Sequence, residues 1–133
     1  DTIAPTYLPY AMPWFSSFIY RFTDRAELSR RRRRNYNTIY EALQNRSDIK
    51  PLFGELWPAV VPYNFPLVSD KADLIADRLR ERGVSVARFG EYYWDDKDRQ
   101  VCSVSNYYSR HCIQIPIHQS LSDEDMDYII DCL

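Results

Sequence analysis

The order of periodicities along the chain predicts an α+β fold. It reads as a two-layer α/β sandwich, with a small sheet of about three strands and helices packed on it. Three observations carry this. The 133 residues amount to one domain, and 45% of them are hydrophobic, enough to fill one core. Three short β-rich runs stand at residues 59–68, 84–89 and 113–117. Between and around them the apolar spacing turns helical, giving the order helix, helix, strand, helix, strand, helix, strand, helix. Residues 1–23 are read as an extended apolar lead-in and a short helix, and residues 24–133 as a single domain.

The lead-in carries Pro5, Pro9 and Pro13, which fix φ and remove donors, so it is extended. In residues 14–22, Phe15, Phe18, Ile19 and Phe22 fall on one stripe of a short helix. Asp24 then caps a longer helix over about 25–45, with Leu28, Tyr36, Ile39, Tyr40 and Leu43 mostly on one face. Arg30 to Arg34 run unbroken through more than one turn of it. At least one must point coreward and find a carboxylate or an aromatic ring. The run at 59–68 holds Pro62 and Pro66, which predicts an edge or bulged strand. Ser69 or Asp70 caps the next helix, Leu74, Ile75 and Leu79 form its buried stripe, and Gly83 stops it. A strand at 84–89, a polar aromatic loop and a short helix over 103–112 follow. The strand at 113–117 puts Ile113, Ile115 and Ile117 on one face. Ser122 caps the last helix, with Asp123, Glu124 and Asp125 at its positive end.

Composition excludes several classes. No apolar stretch is long enough for a transmembrane helix, and the start lacks the pattern of a signal peptide, so a cytoplasmic setting is expected. Cys102, Cys112 and Cys132 are odd in number and widely spaced, which reads as free thiols with no metal pattern. Asp95, Asp96 and Asp98 lack the glycine and bidentate glutamate of a calcium loop. The arginine run invites a nucleic-acid reading. The net charge of −2 and the lack of a recognised nucleic-acid motif make that partner unlikely.

Two constellations are candidates for binding. Arg88, Tyr92, Tyr93 and Trp94 cluster after the second strand, where they can grip a phosphate and stack on a base, or plug the sheet edge. His118 follows the third strand, where it can face a cleft or make a loop hydrogen bond. His111, Tyr107 and Tyr108 are read as packing residues.

Three fragments in one order resemble the DegT/DnrJ-type sugar aminotransferases, over roughly residues 28–133. RRRRRNYNTIYEAL is similar to the long helix that opens that family's small C-terminal domain. VVPYNFPLV with SDKADLIADRLRERGVSV resembles its strand, crossover helix and glycine turn. IQIPIHQSLSDEDMDYIIDCL resembles its strand with Leu-Pro-Leu-His, its loop and its final helix. The resemblance implies the small-domain fold of the fold-type I pyridoxal-phosphate enzymes. It implies a homodimeric parent that moves an amino group onto a keto-sugar, usually nucleotide-linked, in polysaccharide or antibiotic biosynthesis. It also places the loop of Tyr92 and Tyr93 near the substrate mouth, and His118 in the motif's histidine position.

That family carries its cofactor lysine in the large domain. This chain has only Lys50, Lys71 and Lys97, and no Gly/Ser-rich phosphate cradle. Lys50 echoes the family's Ser-x-x-Lys spacing without the strand and glycines around it. No catalytic residue and no cofactor are therefore assigned to this chain; pyridoxal phosphate belongs to the presumed longer parent. The expected partner is a missing large domain or a second copy of the chain. A stand-alone binding module that has lost catalysis is the alternative, and nucleic-acid binding a second one.

Overall fold

The computed structural model describes residues 13–91 and 102–133. Five helices and four strands follow in the order α1 (Trp14–Phe22), α2 (Arg25–Leu43), β1 (Lys50–Pro51), β2 (Asn64–Val68), α3 (Ala72–Glu81), β3 (Ala87–Arg88), α4 (Ser103–His111), β4 (Cys112–Pro116) and α5 (Asp123–Cys132). The strands form one sheet in the order β1-β2-β4-β3, with every neighbouring pair antiparallel. β2 and β3 therefore run parallel to each other with β4 between them, and α3 crosses from one to the other. This is the α+β sandwich the sequence predicts, with one strand more.

Alternation along β2 and β4 separates the two faces of the sheet. Phe65 and Leu67 on β2, and Ile113 and Ile115 on β4, are buried and meet Tyr36, Ile39 and Leu43 of α2, Ile75 and Leu79 of α3, and Met126 and Ile129 of α5 in one cluster. Each large side chain so buried contributes roughly 1.5–3 kcal/mol. The other face carries the half-buried Asn64, Pro66, Gln114 and Pro116. No helix is assigned to it among the described residues.

Helix ends follow their local chemistry. Asp24 accepts from the Glu27 N–H at 3.0 Å. Ser122 and Asp125 make a reciprocal capping box at the start of α5. Gly83 ends α3 at φ +79°, a left-handed conformation that a side chain disfavours. Its N–H bonds Arg80 O and the Val84 N–H bonds Leu79 O, both at 2.9 Å, which closes the last turn.

Several expectations need correction. The short β1 was not foreseen. The run at 59–68 narrows to Asn64–Val68, and that at 84–89 to Ala87–Arg88. β2 is interior, not an edge or bulged strand. Leu52 N–H bonds Pro66 O at 2.9 Å, so the missing Pro66 N–H faces the β1 side, where pairing ends after two residues. Leu74 is 68% exposed, and the buried stripe of α3 is Ala72, Ile75, Ala76 and Leu79. The cap position of α3 is Lys71, whose N–H donates to the side chain of Ser69. α1 forms where predicted but buries none of its residues: Trp14 is 80% exposed.

Candidate functional site

The open face of the sheet carries a hollow of about 240 Å³. Gln114, Pro116 and His118 alternate along β4 and its continuation and so share this face. Asn64 pairs with Pro116 across the sheet and donates from Nδ2 to Gln114 Oε1 at 2.6 Å. Tyr63 and Arg32 close one side, Ser85 and Ala87 the other.

Two residues of α2 position this site. Asn35 is fully buried and donates from Nδ2 to the carbonyls of His118 (3.2 Å) and Ile117 (3.5 Å), which fixes the backbone beneath the imidazole. Arg32 donates from Nε to Gln119 Oε1 at 2.9 Å and from Nη1 to the carbonyls of Pro62 and Tyr63 at 3.3 Å. Its guanidinium lies 5.6 Å from the centroid of the Tyr63 ring. The sequence reading named neither residue as part of a site. A signal for Asn35 existed: it stands one turn before Ile39 on the apolar stripe, where an amide must find a backbone partner.

The rest of the arginine run is spent on the chain itself. Arg30 and Arg31 pair with Glu27 and hold its carboxyl below the usual range through their hydrogen bonds. Arg33 donates to Trp57 O at 2.8 Å and to Val60 O. Arg34 pairs with Asp123 of α5 at 2.8 Å. The half-buried Arg32 and Arg33 thus mostly grip loop carbonyls, and the aromatic ring beside Arg32 is that of Tyr63.

The predicted site residues separate. His118 lines the hollow. Arg88 does not: it pairs with Asp73 of α3 and donates to Arg110 O at 2.8 Å, tying β3 to its neighbours. Tyr92 and Tyr93 lie outside the described residues, as does Lys97. Lys50 opens instead onto a dimple of about 100 Å³ beside Asp48, Ser69 and Asp70. Ligand pockets run to about 300–1,000 Å³, so this dimple does not fit a pyridine ring with its phosphate. Lys71 lines neither cavity. Among the described residues no cluster of His, Cys, Asp and Glu has metal-binding geometry. None of the described helices is long and apolar enough to cross a membrane.

A second feature lies between α1 and α2, an apolar groove of about 620 Å³ lined by Ile19, Tyr20, Leu28 and Val61. Trp14, Phe15, Phe18 and Phe22 are also exposed on α1 and are not among the residues that line the groove.

Residues 19–133 match the model of the DegT/DnrJ/EryC1/StrS aminotransferase family. The chain belongs to that family. The match extends the resemblance of residues 28–133 back into α1. Among solved structures, S. venezuelae DesV in complex with a ketimine intermediate superposes with a TM-score of 0.72 at 14% identity, covering 88% of this chain and 34% of DesV. E. coli GDP-4-keto-6-deoxy-D-mannose-3-dehydratase with bound hydrated PLP gives 0.69 at 12% identity, covering 86% and 33%. Helicobacter pylori PseC, an aminotransferase involved in the biosynthesis of pseudoaminic acid, gives 0.65 at 18% identity, covering 79% and 31%. At these identities the likeness shows the fold, and the DegT/DnrJ/EryC1/StrS chain described here spans about a third of each structure's length. No curated protein sequence matches it.

Proposed function

We propose that this chain is the substrate-side small domain of a PLP-dependent aminotransferase acting on a nucleotide-linked keto-sugar, with the cofactor lysine carried outside it. The observation that carries the reading is the family match over residues 19–133, joined to a fold that recurs in about a third of each of these solved structures. His118, held over the hollow by Asn35, is its substrate-facing residue. Bound PLP would supply the electron sink for amino transfer; among the described residues neither Lys50 nor Lys71 lines the hollow or the larger apolar groove. The part of this chain is to orient the sugar nucleotide against the cofactor-bearing portion and to keep water out. The apolar face of α1 supports the further reading that this segment docks on the large domain or on a second subunit of a cytoplasmic homodimer.

The cofactor assignment is checked by incubating the 133-residue chain with PLP, reducing with borohydride and mapping pyridoxyl-lysine by mass spectrometry. No stoichiometric adduct at Lys50, Lys71 or Lys97 is expected. One saturated lysine would overturn the assignment.

A further inference from the structure

We propose that the loop over residues 52–63 is a membrane-contact surface, which docks this chain on a bilayer of anionic phospholipid through its exposed rings and the arginines beneath them. The proposal does not rest on the aminotransferase reading, because no step of amino transfer enters it.

The first observation is how the loop is held. α2 reaches it with three side chains. Tyr36 donates to the carbonyls of Phe53 and Gly54 at 3.2 Å. Arg33 donates to Trp57 O at 2.8 Å and to Val60 O, and Arg32 to Pro62 O and Tyr63 O at 3.3 Å. The Val60 N–H bonds Trp57 O at 3.0 Å, and the Leu52 N–H bonds Pro66 O at 2.9 Å. Leu56 packs on the core, and Pro58 and Pro62 fix φ at two more positions. The backbone is thus bonded inward, and the large side chains are left outside. Trp57 is 79% and Tyr63 81% exposed, with Phe53 and Val60 exposed beside them. Entering a bilayer strips water from backbone groups, so a loop whose carbonyls are already bonded enters at little cost. Trp and Tyr are the side chains that settle at the headgroup level, with an apolar body and a polar tip.

Charge selects the kind of surface. Glu55 is the one formal charge among residues 52–63. Arg32 and Arg33 lie directly beneath the loop, and among the described residues neither pairs with a carboxylate. Arg30, Arg31 and Arg34 continue the run with half or more of each side chain exposed, offset by Glu27 and Asp123. Apolar rings over a cationic base complement a surface that is negative at its rim and apolar below it, which is the profile of an anionic leaflet. A protein partner fits less well. Three rings of about 150–250 Å² each, all of them partly covered, fall short of the roughly 800 Å² per side of a stable protein interface. Binding to a bilayer scales with the apolar area inserted plus the attraction of cations to anionic lipid, and sets no such minimum. The aromatic stripe of α1, proposed above as a protein contact, is a different element.

The test is flotation of the 133-residue chain with vesicles of phosphatidylglycerol and, in parallel, of phosphatidylcholine. Binding to phosphatidylglycerol is expected, about tenfold or more tighter than to phosphatidylcholine, and weakened by added salt. Trp57→Ala should weaken it about tenfold or more, because one large side chain leaves the apolar boundary. Only the carbonyl of Trp57 is bonded to α2, and an unchanged unfolding midpoint certifies the variant's fold. In a chain carrying Trp14→Phe and Trp94→Phe, Trp57 is the sole tryptophan, and brominated lipid should quench its fluorescence. No flotation with phosphatidylglycerol, flotation that leaves Trp57 unquenched, or wild-type affinity in folded Trp57→Ala would each overturn the proposal. So would a lipid-free dimer that Trp57→Ala dissociates, which would assign the loop to a second copy of the chain. Vesicle binding requires neither keto-sugar nor PLP, so its failure leaves the aminotransferase reading standing, and the converse also holds.

Discussion

Replacing Leu79 and Leu74 in turn by alanine tests the placement of α3 on the sheet. Leu79 is fully buried in the central cluster, whereas Leu74, five residues earlier, is 68% exposed. Truncating Leu79 removes the transfer free energy of its buried carbons and leaves a cavity that tightly packed β-strands fill poorly. The expected loss is about 2–5 kcal/mol. Truncating Leu74 empties nothing, and alanine is the better helix former, so its effect should stay within about 0.5 kcal/mol. Urea denaturation measures both. With a slope of about 1–3 kcal/mol/M, Leu79→Ala should lower the midpoint by about 0.7 molar or more at unchanged slope. A loss below about 1 kcal/mol at Leu79, or equal losses at the two sites, would show that α3 presents a different face.

Two further outcomes follow from the geometry. Arg46 makes two hydrogen bonds of 2.9 Å to Asp48 and holds its carboxyl at about 2. A depressed folded-state pKa stabilises above the unfolded value near 3.9, and that contribution is lost as pH falls toward about 2. Asp48→Asn should therefore flatten the fall in unfolding midpoint across this window, and an unchanged acid limb would remove the pair from the account. The exposed aromatics of α1 predict self-association at micromolar concentration that Phe18→Glu abolishes; a monomer by sedimentation, indifferent to that change, would show that the segment needs no partner of its own kind.

Helix ends were legible in the sequence because they depend on local chemistry. Asp24, Gly83 and Ser122 act through partners within a few residues, and α2, α3, α4 and α5 end within about two residues of the predicted limits. The face of α3 was misjudged because large residues drew the stripe. The true one runs through Ala72 and Ala76, and Leu74 is out of phase with it. β1 could not be read, since two residues become a strand only by pairing with Val68 and Leu67. The site was least legible. Among the residues that line the hollow, His118 is singled out by a motif, but Asn64 and Gln114 are fifty residues apart and meet only through the β2–β4 register. Arg32 and Arg33 bond loop carbonyls, partners that no side-chain pattern announces.

The central claim is that this fold supplies the substrate side of a sugar aminotransferase. It is tested most directly by grafting the chain in place of the matched third of PseC, and measuring amino transfer to nucleotide-linked keto-sugars. The chimera is expected to bind PLP on its own lysine and to transfer the amino group, with His118→Ala cutting kcat/KM about tenfold or more. A folded, PLP-loaded chimera that transfers to no keto-sugar, or one indifferent to His118→Ala, would contradict the account.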